Sequence, residues 1–450
     1  MSSSASAPSS SSSPAVAVAA ALASAALSVG MAMRWAARAA SAPAAPLQPS
    51  ITSMRTVNPI RGVVERIDRT GNPEKEHIVL ALGDPTKFGN FAPPPSASAL
   101  LTNFEAKSHN GYTHSAGAPD ARAAIAAAYS YPDVGNELRP NDVVIASGAS
   151  GAIYLAIQAL CNEGDEILVP SPGFALYGTA ARSCGVVDVE YPLDPDNSWL
   201  VKLDALEARI TPRTRAIVIN NPSNPCGSVF PREHLEDILD LAAKYNLPII
   251  ADEIYHGMVF KGVESLALAQ LRPRVPIFAI SGLAKRFMVP GWRVGWICVY
   301  DYQGRAEPIR RALYQLAQIT LGANTLVQSV IPALLTETPT EYHEANNAKL
   351  EANARIVLDA LASVAGIACT VPEGAMYTMA RIDFDAFDDS ITTDMHFVQG
   401  LLDEESVFAL PGSCFNAPNF FRIVFAPPPE QLKEACARIA AFCARHAAAK

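Results

Sequence analysis

From about Ile78 onward the chain alternates between short apolar runs and longer stretches with helical spacing, and this alternation limits it to an α/β sheet. Val143-Val144-Ile145-Ala146, Ile167-Leu168-Val169, Ala216 to Ile219, Pro248 to Ala251 and Ile277 to Ile280 read as strands. Ile153 to Leu160 and Leu235 to Ala243 read as helices between them. Runs that are apolar at every position suit parallel strands covered on both faces. Arg293 to Val299 reads as one more strand, but its connection from Ile280 is too short for a parallel crossover. It is therefore expected to run antiparallel, which makes the sheet mixed. Helical patterns cover Ala306 to Leu334 and Thr340 to Leu361, followed by a strand Arg422 to Phe425 and a helix Glu430 to Cys443. No internal repeat appears.

Composition narrows the partners. Of 450 residues half are apolar and only 18% are charged, enough for a large core and two or three domains. The net charge is −9 and no basic run of the nucleic-acid-binding kind occurs, so small molecules are the expected partners. The eight cysteines include no CxxC and no Cys/His cluster with zinc spacing, and no metal site is expected. Cys436 and Cys443 lie seven residues apart on one expected helix. That is about 10 Å along its axis, too far to bridge. Reduced thiols in an intracellular compartment, cytoplasmic or mitochondrial, fit this usage.

Residues 1–50 follow other rules. The first fourteen are almost all Ser, Ala and Pro, and no acidic residue precedes Glu65. Ala15 to Met33 is an Ala-rich apolar run with Arg34 and Arg38 after it. A secretory signal places its positive charge before the apolar run, and a spanning helix is richer in Leu, Ile and Phe. The readings left open are a disordered low-complexity extension, an organellar targeting segment, or a start site placed too early. No membrane-spanning segment is expected.

In an open α/β sheet, ligands bind beyond the carboxyl ends of the strands, so the residues just after each strand matter most. After Ala146 come Ser147-Gly148-Ala149-Ser150-Gly151 and a helix start, small residues at a helix N-terminus that suit an anion such as phosphate. An ordinary Ser-capped helix gives the same pattern. After Ile219 comes Asn220-Asn-Pro-Ser-Asn224, after Ala251 comes Asp252-Glu-Ile-Tyr255, and after Ile280 comes Ser281-Gly-Leu-Ala-Lys285. Right-handed crossovers bring these clusters to one sheet edge. A lone Asp there is an ordinary helix cap and a lone Lys an ordinary solvated side chain. An amide, an acid, a phenol and an amine beside an anion cradle are what pyridoxal phosphate chemistry requires. Arg293 is a candidate cation for its phosphate, and Arg422 is a candidate bidentate clamp for a substrate α-carboxylate.

Asn221-Pro-Ser-Asn-Pro-Cys-Gly227, Ala251-Asp-Glu-Ile-Tyr255 and Ser281-Gly-Leu-Ala-Lys-Arg-Phe-Met-Val-Pro-Gly-Trp-Arg-Val-Gly-Trp296 resemble the class I aminotransferases. So do Leu82-Gly-Asp-Pro-Thr-Lys-Phe-Gly-Asn90, Pro170-Ser-Pro-Gly-Phe-Ala-Leu-Tyr177, Pro372-Glu-Gly-Ala-Met-Tyr377 and Asn419-Phe-Phe-Arg422. The likeness runs from about Thr52 to His446 and is strongest to the tyrosine-specific branch. It implies the pyridoxal-phosphate-dependent transferase fold type I. That fold has a large domain (84–335), with a mixed, mostly parallel sheet sandwiched by helices. A smaller α+β domain comes from 52–83 and 336–446. It also implies a homodimer with active sites at the subunit interface.

By the same resemblance, Lys285 carries the cofactor as a Schiff base and shuttles the proton. Asp252 pairs with the ring nitrogen, Asn224 and Tyr255 bond the ring's 3-oxygen, and Phe174 stacks on the ring. Ala149, Ser150 and Arg293 hold the phosphate, and Tyr112 reaches the phosphate of the neighbouring subunit. Arg422 clamps the α-carboxylate, and Gly83 lines the substrate side with Asn224. Many relatives carry serine three residues before the lysine, where this chain has Gly282; the role of Ser281 is left open.

The implied reaction moves the amino group of tyrosine, or of other aromatic or neutral amino acids, to 2-oxoglutarate or pyruvate, as at the first step of tyrosine catabolism. An alanine or broad-specificity aminotransferase, a C–S lyase or a cyclopropane-forming synthase on the same fold are the alternatives. A non-enzymatic regulator would need a basic helix-turn-helix ahead of the fold, and residues 1–50 hold no such pattern. No second arginine is assigned to a side-chain carboxylate.

Overall fold

The computed structural model describes residues 14–39, 48–66, 71–97 and 109–448. By contacts the chain divides into Met1–Ser50 and Ile51–Lys450. In the first unit Pro14–Ala39 is a helix, and its described side chains are exposed. Composition there pointed to an extension without a core or to a targeting segment; alanine's helix propensity favours a helix even where nothing packs against it. Among the described residues no helix is long and apolar enough to cross a membrane, and no disulfide forms.

The second unit begins its strands with Ile78–Val79 (β1). Eight strands then build the main sheet: Val143–Ser147 (β2), Glu166–Ser171 (β3), Val187–Asp194 (β4), Leu200–Val201 (β5), Thr214–Asn220 (β6), Ile249–Asp252 (β7), Ile277–Gly282 (β8) and Val294–Tyr300 (β9). Their order is β2-β9-β8-β7-β6-β3-β4-β5. The inner pairs from β8 to β4 are parallel, whereas β9 runs against both of its neighbours and β5 against β4. The sheet is thus mixed, with β9 antiparallel as its short connection requires.

Side-chain alternation divides the core. Ile217, Ile219, Ile249, Ala251, Ile277 and Trp296 pack on one face, with the helices Pro119–Ala128 and Arg232–Lys244. Val218, Ile250, Phe278, Ile280 and Ile297 pack on the other, with Gly148–Leu160 and Glu307–Thr320. Both faces are buried, which is why these strands read as continuous apolar runs.

The helical stretch expected over Ala306 to Leu334 is instead three helices: Glu307–Thr320, Thr325–Gln328 and Ile331–Glu337. Leu321 at φ 57° and Gly322 at φ 91° take left-handed backbone and close the first. Pro332 stands in the first turn of the third, where proline lacks no needed N–H.

The later strands are Ile367–Cys369 (β10), Tyr377–Ile382 (β11), Val407–Phe408 (β12), Leu410–Pro411 (β13) and Phe420–Val424 (β14). β10-β11-β14-β13 form a small antiparallel sheet. The helices Thr340–Leu361, Asp394–Glu405 and Pro429–Arg445 contribute Leu350, Phe397 and Phe442 to its apolar core. β1 pairs in parallel with β12. Just beyond that pair, the Val424 N–H donates to the Leu80 carbonyl at 3.0 Å. That bond draws the segment Ala81-Leu82-Gly83 alongside β14.

Candidate active site

The carboxyl ends of β2, β6, β7 and β8 meet at one edge of the main sheet. Register places Asn220 beside Asp252, and Asp252 beside Ile280. A cavity of about 350 Å³ opens there, lined by residues of both sheets and of the helix Pro59–Arg66.

Glycines let the backbone close up around the end of β2. Gly148 has φ 71°, and a Cβ on it would stand 2.7 Å from Arg293 Nη2. A Cβ on Gly295 would stand 2.4 Å from the Ala149 nitrogen. The start of the helix Gly148–Leu160 therefore lies directly against β9, with Ala149, Ser150 and Arg293 together on the cavity wall. Arg293 itself is left-handed at φ 54°, the turn that leads the short 3-10 helix Pro290–Trp292 into β9.

At the end of β6, the Asn220 side chain donates to the Asp252 carbonyl at 3.0 Å and accepts from the Asn224 N–H at 2.7 Å. This folds the loop back and puts Asn224 on the wall, where its Oδ1 accepts from Arg422 Nη1 at 2.9 Å. Asp252 is buried; it accepts from the Tyr177 hydroxyl at 2.6 Å and the Ile254 N–H at 3.3 Å. Burial pushes its carboxyl up to about 6, against the opposing pull of those two donors and of Lys285. Tyr177, buried beside it, is held well above the usual phenol range.

Tyr255 shares a 2.7 Å hydrogen bond with Tyr377, hydroxyl to hydroxyl, and burial raises it far above an ordinary phenol. Lys285 follows β8 and donates to the Gly83 carbonyl, its Nζ 5.8 Å from the centre of the Tyr255 ring. Gly83 has to be glycine, since a Cβ there would lie 2.4 Å from the Tyr377 hydroxyl. Phe174 lines the cavity with its ring edge-on to Tyr177.

Arg422 projects from β14 and is only 4% exposed. Its guanidinium lies between the rings of Tyr377 and Phe415, 4.6 and 4.7 Å from their centres, and donates to the Ala81 carbonyl at 2.6 Å. Its Nε has no partner, and among the described residues no ion pair neutralises it. Burial pulls its pKa down. A buried cation that borders the cavity and has no carboxylate paired to it is suited to receive an anion.

The cavity thus gathers Lys285, Asp252, Tyr255, Asn224, Phe174, Ala149, Ser150, Arg293, Arg422 and Gly83. Tyr112 is not among its lining and is 92% exposed. Ser281, left open from sequence, is buried with its hydroxyl 3.3 Å from that of Tyr129, away from the cavity. A Cβ at Gly282 would lie 2.8 Å from the Gly295 Cα, so the close pairing of β8 and β9 excludes a side chain there. Sequence reasoning quoted Tyr177 and Tyr377 within motifs and gave them no role. It passed over Asn58, just before the helix Pro59–Arg66, and Ile60, Arg61 and Val64 on that helix, all of which line the cavity.

Residues 75–439 match the family described as aminotransferase class I and II. The tyrosine aminotransferase of Homo sapiens is 42% identical over 402 residues, covering 89% of this chain and 88% of that protein. The crystal structure of tyrosine aminotransferase from Leishmania infantum superposes with a TM-score of 0.87 at 34% identity, over 90% of this chain and all of that one. The alanine aminotransferase from Pyrococcus furiosus gives 0.82 at 32% identity, over 89% and 100%. With a matched family spanning most of the sequence and both sheets, this chain belongs to the class I and II aminotransferases and is a tyrosine-aminotransferase-like enzyme of fold type I.

Proposed function

We propose that the enzyme uses pyridoxal phosphate to move the amino group of tyrosine, and of other aromatic or neutral amino acids, to a 2-oxo acid. The observation that carries this reading is one cavity holding an amine, a buried acid, a phenol and a buried arginine without a counter-ion. The donor set fits the cofactor. The glycine-tightened helix start with Ser150 and Arg293 suits a phosphate. Asp252, raised to about 6 by burial, gains most from a cationic N–H partner. Asn224 and Tyr255 offer donors for a ring oxygen, and Phe174 offers a face for the ring.

When bound, the cofactor supplies an electron-accepting ring that carries the amino group between the two substrates. Lys285 Nζ anchors it and moves the proton at the substrate Cα. Asp252 holds a proton on the ring nitrogen by staying ionised beside it. Arg422 binds the α-carboxylate as a two-pronged clamp and so orients the Cα bond that must break. Ile60, Val64, Leu82 and Leu176 give the wall an apolar surface that suits an aromatic side chain.

The enzyme is further proposed to act as a homodimer, in which Tyr112, fully outside its own cavity, serves the site of its partner. The test is incubation of the holoenzyme with tyrosine and 2-oxoglutarate. The expected products are glutamate and the 2-oxo acid of tyrosine, with no ammonia. Ammonia and pyruvate from a cysteine conjugate, without amino-group exchange, would make it a lyase instead.

A further inference from the structure

Tyr377 lines the cavity and has no part in the proposed reaction, yet Arg422, Tyr255 and Gly83 surround it. It opens β11, where its register partner is Val424 and Arg422 is its diagonal neighbour on β14. The Arg422 guanidinium therefore covers its ring, 4.6 Å from the centre. Its hydroxyl reaches out of the small sheet to the Tyr255 hydroxyl, 2.7 Å away, on the loop after β7 of the main sheet. Gly83, whose carbonyl takes the Lys285 amine, lies on a third side, where a Cβ would stand 2.4 Å from the Tyr377 hydroxyl.

A phenol has one proton to give. On distance alone either hydroxyl can donate to the other. If Tyr255 gave its proton to Tyr377, it would meet the cofactor's 3-oxygen as a second acceptor and repel it. With Tyr377 as donor, the Tyr255 proton is left for the cavity. Burial holds Tyr255 far above the usual phenol range, so that proton is present at neutral pH. A hydroxyl that accepts one hydrogen bond also donates the next one more strongly.

We propose that Tyr377 is a positioning residue for the cofactor: its hydroxyl donates to Tyr255 and thereby directs the Tyr255 proton onto the ring's 3-oxygen. The assignment rests on the pyridoxal phosphate reading and adds to it a residue that acts through another side chain. It also makes the hydrogen bonding of the ring depend on the small sheet, because β11 carries the donor that orients Tyr255. Asn224 supplies a second donor to the same oxygen: Arg422 takes its Oδ1, which leaves its amide nitrogen to donate. Losing the Tyr377 hydroxyl therefore weakens the hold on the 3-oxygen without abolishing it.

The test titrates cofactor-free parent, Tyr377→Phe and Tyr255→Phe with pyridoxal phosphate and with 3-deoxypyridoxal phosphate, which lacks the ring oxygen. Tyr377→Phe is expected to bind pyridoxal phosphate about three- to ten-fold more weakly and the deoxy compound within about two-fold of the parent. The pH at which the absorbance of bound pyridoxal phosphate changes should rise by about half a unit to one unit, because a less stabilised ring oxygen anion keeps the neighbouring proton more tightly. Tyr255→Phe should show the same pattern, enlarged. Equal weakening for both compounds would mean that Tyr377 only supports the wall, and would overturn the assignment. A parent that binds neither compound rejects the pyridoxal phosphate reading itself. The same preference for pyridoxal phosphate in all three proteins keeps that reading and rejects the role of Tyr377.

Discussion

Asp252 ends a strand in a fully buried place, answered only by the Tyr177 hydroxyl and the Ile254 N–H. Its carboxyl is raised to about 6, so the cofactor-free fold keeps a proton that the unfolded chain has already released. The stability tied to that proton is complete at low pH and is lost as pH rises through about 6. Cofactor-free Asp252→Asn should therefore gain on the parent by up to about 3 kcal/mol between acid and neutral pH. Urea unfolding across that range checks it, and a difference that does not vary with pH would contradict it. Tyr377→Phe keeps the ring against Arg422 and loses the 2.7 Å bond to Tyr255. A cost of about 1 kcal/mol in thermal or urea unfolding is expected. Tyr377→Leu also removes one aromatic face from Arg422, and should raise KM for the amino acid more than it lowers kcat. Lys285, Asp252, Asn224 and Tyr255 were legible because each follows an apolar run that fixes its place on the sheet edge. Tyr377 and Arg61 were not, since their places depend on the small sheet and on the short N-terminal helix, whose positions no local pattern announces.

Strands were legible to the degree that they are buried on both faces. β6, Thr214–Asn220, is buried at all but one position and reads as a plain apolar run. β4, Val187–Asp194, lies toward the edge of the sheet with Asp188 and Glu190 partly exposed, and its mixed sequence hid it. β11 is almost wholly buried, yet Thr378 and Arg381 interrupt its apolar pattern. The turn at Leu321 and Gly322 was readable in principle, because glycine after a helical stretch is a stop signal, but the continuing period beyond it outweighed the glycine. The contact of β8 with β9 gives an element-level test. Gly282→Ser would add a Cβ that must displace the Gly295 Cα or the Val294 carbonyl, each 2.8 Å away. A loss of about 1–3 kcal/mol in urea unfolding is expected, with weaker cofactor binding because Arg293 and the helix start depend on the same strand. A neutral substitution would mean that these strands separate more easily than their pairing suggests.

For the whole molecule, the cavity needs both sheets: the main sheet brings the amine, the acid and the phosphate-binding edge, and the small sheet brings Arg422 and Tyr377. Most strands of the main sheet, and the polar clusters they bring to one edge, were apparent from the apolar runs, whereas the small sheet was visible only as its last strand. Among the described residues, none of 1–50 belongs to the buried clusters, which begin at Val63. Removing residues 1–50 should leave unfolding and kcat/KM unchanged, as a comparison of the 51–450 chain with the full one would show. Everything proposed for the reaction converges on Lys285, the amine that leaves β8 toward the Gly83 carbonyl and faces the buried acid, phenol and clamp. The most direct measurement is the rate of a single tyrosine half-reaction in the loaded enzyme, followed by cofactor absorbance, for the parent and Lys285→Ala. The cofactor should still bind through Arg293, Ser150 and Asp252, and the rate should fall by at least about 10²–10⁴-fold. Turnover of Lys285→Ala at the parental rate would contradict the mechanism.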